Sequence, residues 1–338
     1  MADLIEPLGW LHGAAARDAV AAGLAQPLAG GPAAFALARL LPGGEVVPVA
    51  AVPPRWQPVL DRIAAPPPGC WAGLAARPAV MAILNVTADS FSDGGRHLDP
   101  AVAVAAGLAM AAAGADVVDV GGESTRPGSR AVPLAEERAR VVPVVRALAA
   151  QGVAVSIDTR NAATMAAALD AGARIVNDVS ALAHDPASAS LVAARGCPVV
   201  LMHMRGQPET MAGLGQYADV AAEVAAELAG RVAVAEAAGI SRTAIALDPG
   251  IGFAKGTAEN LDLLARLGVL LGLGFPLVVG VSRKGFIGRI SGEAEPQHRF
   301  AGSIAAGLAA CLAGAAVLRV HDVAETVQAV RLWRAILA

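Results

Sequence analysis

The chain has 338 residues, with 26 basic and 29 acidic side chains and a net charge of −3. Hydrophobic residues make up 55% and charged residues only 16%, so the chain can bury a large core and lacks the composition of a disordered segment. That balance argues against a nucleic-acid or membrane partner held by bulk charge, while leaving room for a local anion site.

Residues 1–75 hold short apolar pieces and strong breakers, among them Gly30-Gly31, Pro53-Pro54 and Pro66-Pro67-Pro68. The proline run reads as a linker, and the segment as a small accessory or packing extension of unknown role, because it carries no polar constellation. Asp3 and Glu6, with no cationic start, argue against a secretory signal. From Pro78 a pattern recurs: a short Val/Ile-rich run ends in polar residues, and an Ala-rich amphipathic stretch follows. The strand candidates are 81–86, 116–120, 153–157, 174–177, 198–202, 244–247, 277–281 and 317–320. Helical candidates between them include 101–113, 136–150, 162–171, 218–238, 258–267 and 301–313. Alternation of this kind implies a parallel sheet. Eight units over residues 76–338 fit a (β/α)8 TIM barrel, which typically takes about 250 residues. A doubly wound sheet would carry a glycine fingerprint after its first strand, and Leu84-Asn85-Val86-Thr87 stands there instead.

The uncharged run 300–318 is long enough to raise the question of a membrane span. Its large residues Ile304, Leu308 and Leu312 recur every four positions, which reads as the buried stripe of a helix in a globular protein. Gly314 then stops the helix before a final strand. Three widely spaced cysteines, Cys70, Cys197 and Cys311, form neither a disulfide framework nor a zinc pattern and point to a reducing, cytoplasmic compartment.

Catalytic groups of such barrels sit at the C-terminal ends of the strands. Read in order, those ends are Asn85; Asp119 with Glu123-Ser124-Thr125-Arg126; Asp158; Asn177-Asp178; His203; Asp248; Ser282-Arg283-Lys284; and Arg319 with His321. All eight are polar. Asp158, Asn177, Asp248 and Lys284 mix acceptors and donors in a way that suits a flat heterocycle with an amide-like edge. Arg126, Arg319 and His321, near Asn85, suit a phosphate or diphosphate. The Asn85 carboxamide can serve as one ligand of a magnesium ion (Mg2+) that otherwise holds water and phosphate oxygens.

Only two lysines, Lys255 and Lys284, stand against 24 arginines. Where arginine is so favoured, a retained lysine suggests a need for a compact single-point donor. That reading favours a site role for Lys284 and leaves Lys255 open. Asp119 is read equally as a buried structural carboxylate, and His203 equally as a wall residue or a ligand. His12, His97, His184 and His298 read as solvated. The loop with Asp89, Asp93 and Gly94-Gly95, and the loop 125–129, read as mobile active-site loops.

These stretches together resemble the dihydropteroate synthases. The resemblance rests on Ile83-Leu84-Asn85-Val86-Thr87 with Asp89-Ser90-Phe91-Ser92-Asp93-Gly94-Gly95, and on Asp119-Val120-Gly121-Gly122-Glu123-Ser124-Thr125-Arg126-Pro127-Gly128. Ser156-Ile157-Asp158-Thr159, Asn177-Asp178-Val179, Asp248-Pro249-Gly250-Ile251-Gly252-Phe253, Ser282-Arg283-Lys284 and Arg319-Val320-His321-Asp322 complete it. It covers about residues 80–338, in order. It implies condensation of a (7,8-dihydropterin-6-yl)methyl diphosphate with p-aminobenzoate, giving 7,8-dihydropteroate and pyrophosphate in folate synthesis. It also implies magnesium, sulfonamide sensitivity and a homodimer. By the same resemblance Asn85 holds the metal, and Asp158, Asn177, Asp248 and Lys284 hold the pterin. Arg319, His321 and Thr125 hold the diphosphate, with Arg126 in the closing loop. Phe253, Thr125, Pro127 and the Lys284 region shape the aminobenzoate pocket. Three positions depart from the family pattern: Ala88 for proline, Ala212 for glutamine and Gly285 for serine. None of them carries an assigned pterin, diphosphate or metal contact. Two other readings share parts of this set, a corrinoid-dependent methyltransferase and a pterin-binding paralogue without turnover. The methyltransferase would not need Ser282-Arg283-Lys284 or Arg319-Val320-His321.

Overall fold

The structure is a computed structural model that describes residues 3–66, 71–74, 78–87, 100–124, 132–207 and 210–337, without the Ala212 side chain. Its centre is a closed barrel of eight parallel strands: β5 (Ala79–Asn85), β6 (Val117–Gly121), β7 (Val155–Asp158), β8 (Ile175–Asp178), β9 (Val199–Met202), β10 (Ile245–Asp248), β11 (Leu277–Val279) and β12 (Ala315–Val320). Neighbours in sequence are neighbours in space, and β12 pairs β5 to close the ring. Every strand lies within two residues of the position expected from the Val/Ile runs. Helices connect them on the outside, among them Pro100–Ala112, Leu134–Ala150, Ala162–Asp170, Ser188–Arg195, Val220–Ala237, Thr257–Ala265, Phe300–Leu312 and Val323–Leu337.

Alternation along the strands builds two separate cores. Outward residues such as Leu84, Val120, Ile157, Leu201 and Leu247 pack under the helices, against Val141, Val144 and Leu148 of the helix Leu134–Ala150. Each such buried side chain contributes about 1.5–3 kcal/mol. Inward residues Ala79, Met81, Val117, Ile175, Val200, Ala246, Val278 and Val317 fill the barrel, and Trp71 plugs its lower end, donating from Nε1 to Ala244 O at 2.9 Å.

The helix Phe300–Leu312 corrects one expectation. Its buried face is Ser303, Gly307, Ala310 and Cys311, while Ile304, Leu308 and Leu312 are only half-buried beside it. Small residues win the barrel-facing side because the helix approaches closely: a Cβ on Gly307 would lie 3.3 Å from Leu318. Among the described residues no helix is long and apolar enough to cross a membrane.

The N-terminal segment folds as an antiparallel sheet. β1 (Leu4–Leu11) pairs with β3 (Ala34–Leu41) from Leu4↔Leu41 to Leu11↔Ala34. β2 (Gln26–Pro27) and β4 (Val46–Pro48) pair with the far edge of β3. The sheet and the helix Gln57–Ala64 pack on the outside of the barrel, against the segment 266–274 that leads toward β11. Gly268 lies against Pro7 and Trp10, and Gly272 against Val59 and Ile63. Buried Glu6 joins the two parts, accepting from Arg39 Nη1 at 2.9 Å and from Arg266 Nε at 3.1 Å, while Arg266 also pairs with Asp219 at 2.9 Å. Pro67 and Pro68 of the expected linker lie outside the described residues.

Candidate active site

Two residues above the inner apolar layer, the same inward parity carries polar side chains. Asp119 follows Val117, Asn177 follows Ile175, Asp248 follows Ala246 and Arg319 follows Val317. Asp158 ends β7 and Asn85 ends β5, paired in register with Gly121. Among the described residues, the upper end of the barrel is therefore floored by charge.

Arg319 is the centre of that floor. Its Nε donates to Asp119 Oδ2 and its Nη2 to Asp158 Oδ2, both at 2.6 Å. Asn177 Nδ2 donates to the same Asp119 oxygen at 2.9 Å. The two expected sets, one for a heterocycle and one cationic, thus touch each other. Arg319 rests on a carboxylate of the first set, because two acids at the barrel floor need a counter-charge more than an exposed rim does. Burial pushes the Asp158 carboxyl up to about 7 against the opposing pull of Arg319, with Asp119, Asp178 and Glu137 adding to the rise. Burial alone would lower the Arg319 pKa, but Asp119 and Asp158 outweigh it and hold the guanidinium charged. Among the described residues, Asp119 Oδ1 and Asp158 Oδ1 are buried with no hydrogen-bond partner. Orphaned acceptors at the upper end of the barrel are what a ring N–H or amino group would satisfy.

Burial also raises the Asp248 carboxyl, opposed by Lys284. Its Oδ1 accepts from the Gly250 N–H at 2.7 Å. Lys284 donates to Ile251 O and sits 4.7 Å above the centre of the Phe253 ring. Burial brings the Lys284 ammonium down to about 8, opposed by Asp248. Arg283, just before it, is held at φ +59°. An arginine keeps that conformation only when its surroundings fix it. Ser303 Oγ accepts from the Arg283 N–H at 2.8 Å, and Asp322 pairs with the Arg283 guanidinium. Just past the end of β12, His321 shares parity with Arg319; its Nδ1 lies 3.0 Å from Ser282 Oγ, which also accepts from the His321 N–H.

The region from residue 81 to residue 321 matches the family model described as pterin binding enzyme. A dihydropteroate synthase of Mycobacterium leprae is 49% identical over 259 residues, which is 75% of this chain and 91% of that protein. The Xanthomonas albilineans dihydropteroate synthase, solved with 4-aminobenzoic acid, superposes with a TM-score of 0.73 at 50% identity, covering 78% of this chain and 94% of that one. The same enzyme solved with 7,8-dihydropteroate gives a TM-score of 0.71 at 48% identity over the same shares. The chain belongs to the dihydropteroate synthase family. The matched region begins at residue 81, so the N-terminal sheet lies outside the family model.

Of the residues singled out for a family site, Asp158, Asn177, Asp248, Lys284, Phe253, Arg319, His321 and Asn85 are on or beside the upper barrel end. Thr125, Arg126 and Pro127 lie outside the described residues, as do Ala88, Asp89, Asp93, Gly94 and Gly95. Asp119, left open in the sequence, joins the floor directly; its signal is its parity with Val117. His203 is 3% exposed and bonded on both ring nitrogens, to Glu227 and Lys255, which settles it as a wall residue. His12, His184 and His298 are exposed as expected, and His97 is outside the described residues. Lys255 is buried rather than on the surface.

Proposed function

We propose that this chain condenses a (7,8-dihydropterin-6-yl)methyl diphosphate with p-aminobenzoate, releasing pyrophosphate and forming 7,8-dihydropteroate for folate synthesis. One observation carries the reading. The buried acceptors of Asp119, Asp158, Asn177 and Asp248 share the upper barrel end with the Lys284 donor, in a chain of this family. The pterin edge would occupy the orphaned carboxylate oxygens, with Asn177 and Lys284 supplying the complementary contacts. The raised pKa values of Asp158 and Asp248 let those two carboxyls share protons with ring nitrogens without a full buried charge.

The methylene–oxygen bond breaks first, its electron pair leaving with the diphosphate. Arg319 and His321, with Arg126 from the closing loop, would stabilise that charge. The electron-rich dihydropterin stabilises the cationic methylene, and the aminobenzoate nitrogen then attacks it and gives up a proton. The loops after β5 and β6 would exclude water as a rival nucleophile. Phe253, Thr125 and Pro127 would shape the arylamine pocket, and a sulfonamide would compete there. Among the described residues no group of three His, Cys, Asp or Glu could hold a metal. Asn85, half-buried at the end of β5, fits a magnesium ion that keeps its waters and takes phosphate oxygens. Such an ion would neutralise charge on the departing diphosphate.

Buried free Cys197 and Cys311 support a reducing, cytoplasmic setting. Leu332 and Ile336, 63% and 69% exposed and one helical turn apart, support self-association as a homodimer.

The test is pyrophosphate release from the dihydropterin diphosphate with magnesium, with and without p-aminobenzoate. Release that needs the amine, matched by an equal amount of dihydropteroate, is the expected result. Tight pterin binding without release would overturn it in favour of a non-catalytic pterin binder.

A further inference from the structure

The loop from Asp248 to Lys255 presents Asp248 at its root and Phe253 near its middle, yet almost none of its carbonyls is bonded to regular secondary structure. Side chains donate to five of them, at Gly250, Ile251, Phe253, Ala254 and Lys255, while Asp248 O accepts from the His203 N–H. Lys284 donates to Ile251 O from the site side. From behind, Lys255 Nζ donates to Gly250 O at 3.0 Å and Phe253 O at 3.1 Å, and lies 2.9 Å from His203 Nδ1. Tyr217 donates to Ala254 O at 3.1 Å, and Asn260 Nδ2 to Lys255 O at 3.1 Å. The backbone is bent to meet these donors, with positive φ at Gly250, Gly252 and Ala254. Gly250 is pressed so close that a Cβ there would lie 1.9 Å from His203 O.

An ammonium has three N–H donors, and Lys255 meets three acceptors. The two carbonyls take two of its N–H groups, and the third of the charged form donates to a His203 ring that burial keeps neutral. His203 must then accept at Nδ1 and offer its Nε2–H to Glu227 at 3.0 Å. Arg205 fixes Glu227 and Glu223 and stacks 3.9 Å from the centre of the Tyr217 ring. The helix Val220–Ala237 is thereby linked through His203 to the back of the loop.

We propose that Lys255 is a positioning residue: acting through the carbonyls of Gly250 and Phe253, its ammonium sets the loop that aims Asp248 and Phe253 into the site. This rests on the synthase reading above. Burial brings Lys255 down to about 7. Asp248 and Glu227 oppose that fall, Lys284 and Arg205 add to it, and His203 and Tyr217 are the other titratable groups facing it. His203 is itself lowered, chiefly by burial, and so stays a neutral acceptor near pH 7. Substrate affinity then weakens as pH rises and Lys255 loses its proton.

Two lysines in the whole chain make the test direct. Lysine labelled with 13C at Cε gives two side-chain signals, distinguished by their loss in Lys255→Met and Lys284→Arg. The expected result is that KM for p-aminobenzoate rises between pH 6.5 and 8.5 with the midpoint of the Lys255 signal. Lys255→Met should show KM raised about tenfold with kcat less affected and that pH component gone. A folded Lys255→Met enzyme with wild-type KM and pH profile would overturn the proposal. If that variant does not fold, a wild-type KM profile unrelated to the Lys255 midpoint overturns it equally. Absence of turnover in the wild-type chain would instead count against the synthase reading.

Discussion

Removal of the Arg319 guanidinium probes the barrel floor most sharply. In Arg319→Met the volume is largely kept, but Asp119 and Asp158, 0% and 8% exposed, lose the cation that lies 2.6 Å from each. Breaking a buried pair while its acids remain costs about 3–5 kcal/mol. The cost depends on pH with a definite sign. In the intact protein Asp158 titrates at about 7 rather than 3.8, so the folded chain binds more protons than the unfolded one between those values. Stability from this group is complete below the unfolded value and is lost as pH rises to about 7. Without Arg319 the folded pKa moves higher still, so the loss continues above pH 7 while the wild type has levelled off. The stability gap between the two should widen there by up to about 1.4 kcal/mol per pH unit. Urea denaturation of both proteins at several pH values from 6 to 9 measures it. A gap below about 1 kcal/mol, or one constant over that range, would refute the reasoning. Turnover should fall at least about 100-fold at every pH, as expected when a donor to developing charge is removed.

Lys284→Arg keeps the charge but must fit a planar fork beside Gly252 and Ile251 O, over the Phe253 ring; kcat/KM should fall strongly, and near-normal turnover would show that a point donor is not needed there. Gly250→Ala sets a Cβ against His203 O at a φ of +66°, so soluble protein with wild-type melting temperature would contradict the tightness of that approach. Glu6→Ala leaves Arg39 and Arg266 without their shared acid; with Arg39 partly exposed and Arg266 still bonded to Asp219, denaturation should show a loss of about 1–3 kcal/mol. Its kcat and KM should be unchanged, because none of Glu6, Arg39 and Arg266 bonds to a residue placed in the site.

What was legible in the sequence followed from local chemistry. Parallel strands buried on both faces are apolar runs, so all eight could be read, and their polar ends marked the site. The N-terminal sheet could not: β1 contains Pro7 and Gly9, β3 is mostly Ala and Leu, and their pairing joins residues more than twenty positions apart. Nor did any local signal connect Arg319 with Asp119, 200 residues earlier. The apolar stripe of the helix Phe300–Leu312 misled because large residues announce themselves in a sequence, whereas close approach to a barrel is made by small ones.

The lysines show how composition can carry structural information that periodicity does not. In a chain that uses arginine almost everywhere, both retained lysines bond to one loop, Lys284 to Ile251 O and Lys255 to Gly250 O and Phe253 O. The carbonyls taken by Lys255 and the His203 nitrogen converge on a single point. A guanidinium spreads its five donors across a plane and stays charged when buried, so it could neither reach all three acceptors from one atom nor shed its charge near neutrality. Scarcity alone could not say which lysine touches substrate. The fold separates them: Lys284 enters the site over the Phe253 ring, while Lys255 lies behind the same loop against His203. The lysine that the sequence left open is therefore the one bonded to two of the loop's own carbonyls.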